Sequence, residues 1–139
     1  MRRWGGGLAL VLLAACAERS AHERAAAWLW SRQQPDGSWR SENYAVLRSG
    51  QALTPFVLHA LLASGPAKDR RMAGCARALA LVRRSIDADG AIGYADPELL
   101  EYPVYATALA ILVLARAGDP GDAERIGSMA RWLAHQQCG

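Results

Sequence analysis

Moved along itself by 53 residues, the chain meets its own pattern. Gly37 falls on Gly90, Asp36 on Asp89, Leu29 on Val82, Thr54 on Thr107, Leu58 on Ile111, Leu61 on Leu114 and Gly65 on Gly118. A second shift of similar size sets Asp69, Leu79 and Val82 on Asp119, Met129 and Trp132, and Gln136-Gln137 then echoes Gln33-Gln34. Such a period belongs to arrays of one supersecondary unit, none of which buries its apolar face alone. The chain must therefore stack like units against each other.

The units read as helical. Alanine and leucine dominate while β-branched residues are sparse, and 52% of the residues are hydrophobic, ample for a core. Ser20-Ala-His-Glu23 has the form of a capping box, so the first helix is expected from Ala21 to Gln33 or Gln34. Residues 40–51 carry no periodicity and read as loop. Thr54 as cap and Pro55 at the first helical position open a second helix to Ser64, apolar on nearly every side, which Gly65-Pro66 stops. Asp69 is the expected cap of a third, amphipathic helix to Ser85 whose stripe is Met72, Cys75, Ala76, Leu79 and Val82. Residues 87–102 form a second turn and loop. Pro103 opens a fourth helix, again apolar all round, ending at Ala117 before Gly118. Asp119-Pro120 begins a fifth, amphipathic one reaching Gln137. Amphipathic helices alternate with buried ones: outer, inner, outer, inner, outer.

The turn after the first helix has its own spacing: Leu29, Gln33, Gly37, Trp39, around Pro35-Asp36-Gly37. Proline halts the helix and Asp-Gly supplies the backbone angles of a reversal. This pattern resembles the Gln-Trp repeat of the squalene–hopene cyclase and prenyltransferase-repeat family. In that family outer helices of an α/α toroid end in a Gln whose amide lies against a Trp indole. The resemblance covers residues 20–139 and implies an all-α fold, a partial α/α toroid of about two and a half hairpins. Leu29, Gln33, Gly37, Trp39, Gly90 and Gln136 take the structural positions of the motif. The second copy departs from it, with Ile86 and Ile92 where Gln and Trp would stand.

Residues 1–15 read as a leader: Arg2 and Arg3, an apolar body from Leu8, then Leu13-Ala14-Ala15-Cys16. It is too short to span a membrane and has the layout of a secretory signal. The close resembles the lipobox of bacterial lipoproteins, which implies cleavage before Cys16, acylation of Cys16 and a tether over residues 16–20. An ordinary signal peptide with Cys at this place is the alternative. Residues 21–139 form the repeat domain. Ala17 stands where an Asp would retain such a protein at the inner membrane, so the resemblance points outward, to a bacterial envelope protein facing the periplasm or exterior. The net charge of +3 includes Arg2 and Arg3; without them 14 basic residues face 13 acidic ones, and charge suggests no nucleic-acid partner.

Three sets of residues bear on possible chemistry. Asp87-Ala88-Asp89-Gly90 invites comparison with the Asp-x-Asp-Asp acid of squalene–hopene-type cyclases, but its fourth position is Gly and it aligns with the turn at Pro35-Asp36-Gly37. Cys75, His59 and His135 fall on three different helices without ligand spacing, so no metal or cofactor is expected. Cys75 and Cys138 lie at opposite ends of neighbouring parallel helices, about 20 Å apart, beyond disulfide reach.

What remains is a hollow whose rim is expected from Tyr44, Gln51, Thr54, Tyr94, Tyr102, Tyr105 and Thr107, in loops or at the starts of inner helices. The expected function is a non-catalytic binding or scaffold module for an apolar ligand, isoprenoid or lipid, or for a partner protein. The alternative is a terpene cyclase-like or prenyltransferase-like enzyme of which this chain is a part. Helices four and five are expected to leave an apolar edge open to self-association or to a protein partner.

Overall fold

The computed structural model describes residues 20–64 and 72–137. Five α-helices form the fold: α1 Ala21–Ser31, α2 Leu53–Ser64, α3 Ala73–Ser85, α4 Pro103–Ala117 and α5 Ala123–Gln136. Among the described residues there is no strand, so the all-α expectation holds. No helix among them is long and apolar enough to cross a membrane. The leader, Cys16, Gly65-Pro66, Asp69 and Cys138 lie outside the described residues.

Local chemistry sets most of the helix ends. Ser20 Oγ accepts the Glu23 N–H at 3.2 Å and the Ser20 N–H donates to Glu23 Oε2 at 2.9 Å, the complete capping box at the start of α1. α1 stops at Ser31, earlier than expected, because Arg32 and Gln33 turn their N–H groups to Leu29 O and Trp30 O in a tightened last turn. α4 has Pro103 in its first turn and Gly118 in the left-handed conformation after its last residue, its N–H bonding Leu114 O.

Three starts differ from expectation. α2 begins at Leu53, and Thr54 is inside the helix, its N–H on Gly50 O, not its cap. α3 begins at Ala73, where Met72 O receives the N–H groups of Cys75 and Ala76 and no side chain caps the end. α5 is preceded by a 3₁₀ turn, Pro120–Asp122, in which Asp119 Oδ1 accepts the Gly121 N–H.

α2 and α4 pack on each other at the centre, α1 lies on α2, α5 on α4, and α3 touches both central helices. The core between them is Leu58, Leu61 and Leu62 of α2 against Ala106, Ala110, Val113 and Leu114 of α4, closed by Cys75, Ala78 and Val82 of α3 and Met129 of α5. The two alanines of α4 let α2 approach closely, and the leucines fill what they leave.

The central helices are not buried all round. Phe56, Val104, Tyr105 and Leu112 are exposed, on faces that the other described helices leave uncovered. Among the described residues, each central helix thus keeps one wet face, whatever its composition.

The two turns place the outer helices. Gly37, at φ +91°, lies so close to α3 that a Cβ would stand 2.5 Å from the Arg77 carbonyl carbon. Gly90, at φ +89°, does the same to α5, with a Cβ 2.8 Å from the Ser128 carbonyl carbon. Both the angle and the approach demand glycine.

Candidate functional site

An apolar groove of about 330 Å³ opens between the first turns of α2 and α4. Leu53 and Phe56 of α2 form one wall, Tyr105, Ala106 and Leu109 of α4 the other. Leu47, Ala52 and Tyr102 complete the lining. Among the described residues, no charged side chain lines it. Two phenols at the rim of an otherwise hydrocarbon trough suit an elongated apolar molecule with a polar end.

The groove's shape depends on backbone held by buried polar groups. Tyr102 sits at φ 46° and ψ 57°, the left-handed region, at the cap of α4. A non-glycine residue there costs roughly 1–2 kcal/mol, and such strain gathers where surrounding structure over-determines it, often at binding sites. Here the neighbours are fixed on both sides: the Glu101 N–H donates to Gly93 O at 2.8 Å, and Pro103 follows.

Glu101 itself is 2% exposed, and its carboxylate accepts the Ser49 N–H at 2.6 Å and the Ala52 N–H at 3.2 Å. It takes two amides of the segment leading into α2 from a distant part of the sequence, while within that segment Ser49 Oγ takes the Gln51 N–H and Gly50 O the Thr54 N–H. Gln51 completes the seam, its Oε1 accepting the N–H groups of Gly93 and Ala95 at 2.8 and 3.2 Å. The loops before α2 and before α4 are thus one stitched rim.

Of the seven residues expected at a rim, the structure brings Tyr102 and Tyr105 to the groove and uses Gln51 to hold it. Thr54 and Thr107 are fully buried, and each hydroxyl accepts a backbone N–H, from Trp39 at 3.1 Å and from Ile92 at 3.0 Å. They are the internal anchors of the two turns. Tyr94 faces away, edge-on to Trp132 of α5 at 6.3 Å between ring centroids. Tyr44 is 67% exposed in the loop before α2 and does not line the groove. Sequence reasoning missed Phe56 and Leu109, which the apolar run of each helix hides among its neighbours. It also missed Glu101, whose only signal is a carboxylate directly before the Tyr-Pro start of α4.

The motif residues act in tertiary packing. Trp39 is 3% exposed, donates its indole N–H to Leu29 O at 2.7 Å and lies against Trp30 at 5.4 Å between centroids. The Gln33 amide does not simply face that indole: its Nε2 donates to Gly37 O at 3.1 Å and to Gly74 O at 2.8 Å, while its Oε1 accepts from Arg77 at 3.1 Å. It ties the end of α1 to the first turn of α3. In the degraded copy Ile92 fills Trp39's place and is 1% exposed. At the third copy Gln136 is exposed at the end of α5, its amide near Trp132 O at 3.5 Å.

Charge gathers elsewhere. Arg83 of α3 reaches Asp122 with Nε and Nη2, at 2.7 to 3.1 Å, and Asp119 at 3.2 Å; Arg125 adds a contact at 3.3 Å. Asp122 is 1% exposed, and the Arg83 guanidinium holds its carboxyl below the usual carboxylate range, against the opposing effect of burial. This pair joins α3 to the head of α5 and is a fastening.

Among the described residues no three His, Cys, Asp or Glu side chains group as a metal site would require. Cys75 is buried in the core, His135 is exposed on α5, and His59 Nδ1 is buried without a hydrogen-bond partner among the described residues. Asp87 and Asp89 belong to the second turn, where Asp87 Oδ1 accepts the N–H groups of Asp89 and Ala91 at 3.0 and 2.8 Å. Compared with family models, with curated proteins and with solved structures, the chain has no match.

Proposed function

We propose that the chain is the helical binding module of a bacterial envelope lipoprotein, related to the squalene–hopene cyclase and prenyltransferase repeats, and that its groove takes an isoprenoid or similar lipid chain. In this reading the stacked repeats curve as part of an α/α toroid, α2 and α4 line the concave side, and Cys16 carries the acyl anchor. The observation that carries it is the groove: hydrocarbon and aromatic walls on two central helices, open to solvent, with a strained Tyr102 at its mouth. An apolar trough of this size, left uncovered, gains about 25 cal/mol for each Å² that a ligand removes from water.

Farnesol titrated into the protein, followed by nuclear magnetic resonance of the groove residues, tests the reading. Saturable shifts at Phe56, Tyr105 and Leu109 are expected, and Phe56→Asp, at a position 57% exposed and so tolerant of change, should abolish them while leaving the melting temperature near that of wild type. No saturable binding, or equal binding to the variant, overturns it. Chemical conversion of an isoprenoid by the wild-type protein would move the chain to the cyclase-like or prenyltransferase-like enzymes instead. Membrane attachment is tested separately: Cys16→Ser should lose labelling by a palmitate analogue and leave the membrane fraction.

A further inference from the structure

Among the described residues, Tyr102 is the one residue other than glycine whose φ is positive, at 46°. Two local effects oppose that conformation. The Cβ of an L-residue crowds the following carbonyl oxygen there, and the proline that comes next favours extended backbone. The surroundings hold it all the same. Before it, the Glu101 N–H donates to Gly93 O at 2.8 Å, and the Glu101 carboxylate accepts the amides of Ser49 and Ala52. After it, Pro103 has its own φ fixed by its ring. Gly93 lies against both neighbours: a Cβ on it would stand 2.7 Å from Glu101 O and 3.0 Å from the Pro103 Cα.

The backbone of Tyr102 has a task in the fold, since its carbonyl accepts the Ala106 N–H in the first turn of α4. That task needs no side chain, and glycine would meet it with less strain. The side chain has no such task. Its phenol oxygen has no hydrogen-bond partner among the described residues, the residue is 56% exposed, and it lines the α2–α4 groove. Strain of this kind gathers where a side chain is put to use, and the fold itself makes no use of this one.

The groove limits what the phenol can meet. The rest of its lining is hydrocarbon and aromatic, with Tyr105 the second phenol. The heads of α2 and α4 each carry a partial charge of about +0.5, and Glu101, 2% exposed, sets a whole negative charge beside them. These roughly cancel, so an anion gains no net attraction. A diphosphate would meet neither Arg nor Lys among the described lining residues. A hydroxyl can both donate to and accept from a phenol, with no charge to desolvate.

We propose that Tyr102 selects the head of the ligand: it holds the hydroxyl of an isoprenoid alcohol whose chain lies along Phe56 and Leu109, and the groove takes the alcohol in preference to its diphosphate. The left-handed backbone at Tyr102 is what aims the phenol at the groove. This rests on the reading of the groove as an isoprenoid site, and adds the chemistry of the end group and the residue that reads it.

Three ligands of one chain length test it on the full chain: farnesol, farnesyl diphosphate and the hydrocarbon farnesene, each titrated without divalent metal. The quantity read is the ratio of farnesol to farnesene affinity, in which contact with the chain cancels. Tyr102→Phe keeps the ring and removes the oxygen, and should lower that ratio by roughly twofold to tenfold, as loss of one hydrogen bond does. Tyr105→Phe should lower it less. The wild-type protein should bind farnesol more tightly than the diphosphate. Tyr102→Gly should bind farnesol more weakly and melt no lower than wild type, since glycine takes the left-handed backbone freely. An unchanged ratio in Tyr102→Phe, a larger drop in Tyr105→Phe, a diphosphate bound as tightly as the alcohol or more so, or a Tyr102→Gly protein that melts lower overturns the inference and leaves the groove reading standing. Absence of saturable farnesol binding to the wild-type protein overturns both.

Discussion

The two turns, residues 34–39 and 87–92, share a backbone circuit and differ in nearly every side chain that it carries. Gln34 N–H bonds Ser38 O at 2.8 Å, and Asp87 N–H bonds Ala91 O at 2.9 Å. Gly37 N–H returns to Gln34 O as Gly90 N–H returns to Asp87 O. Thr54 accepts from Trp39 and Thr107 from Ile92, each over 15 residues. The side chains then diverge. The first turn fills its pocket with an indole that also bonds a carbonyl, and sends Gln33 across to α3. The second fills it with Ile92 alone and leaves the bond between units to Arg83 and Asp122. The repeat therefore preserves glycine, threonine and the backbone loop, which no other chemistry replaces, while the pocket filler and the fastening are exchangeable.

The strongest way to break that comparison is to empty the two pockets. Trp39→Ala removes a buried ring, its N–H bond and its contact with Trp30, and should cost about 4 kcal/mol in chemical denaturation. Ile92→Ala removes only hydrocarbon and should cost about 2–3 kcal/mol. Equal losses would mean that the indole's bond and ring contact contribute nothing beyond volume. A smaller, matched effect is expected at the anchors. Thr54→Val and Thr107→Val keep the shape and leave one buried N–H without a partner, costing about 1–3 kcal/mol each and nearly the same in both. Unequal losses would show that the two circuits are not equivalent.

The smallest effect concerns acid. Asp122 has its folded pKa below the ordinary value of about 3.9, so its contribution is fully present above that pH and is lost as pH falls through the lower folded value. Asp36 is lowered as well: its partial burial opposes this, but hydrogen bonds from Ser38 and the nearby Arg40 outweigh it. Asp36 is the more exposed, with a side chain 38% accessible against 1% for Asp122, so solvent screens it. Asp122→Asn should therefore flatten the acid limb of the stability curve more than Asp36→Asn does. The reverse order would move the pH-sensitive fastening from the second unit to the first.

Much of this was legible along the chain because it is decided by neighbours in sequence. Ser20 and Glu23 are three residues apart, Pro103 opens its helix and Gly118 closes the same one, and glycine at positions 37 and 90 marks a turn whatever surrounds it. The 53-residue pairing even joins Thr54 to Thr107, although it hides what they do: Thr54 before Pro55 has the form of a helix cap, while the structure buries both as anchors of the turns. Which side of α2 and α4 faces water was not legible. A helix apolar all round has no polar face to orient it, so Phe56 and Leu109 look no different from Leu58 and Leu114. Glu101 and Ser49, or Arg83 and Asp122, are 52 and 39 residues apart, and nothing local marks a carboxylate that will be buried by a distant amide or guanidinium.

By itself the amino-acid order determined that this chain is helical, that it is built from a repeated unit, and where the units turn. Those are matters of periodicity, propensity and glycine's freedom at positive φ, each settled within a few residues. The tertiary structure alone decided which faces of the central pair the other described helices cover, and that a groove opens between the first turns of α2 and α4. Each of these depends on which surfaces meet, and burial is a property of pairs of surfaces, so no stretch of one helix specifies it without the other.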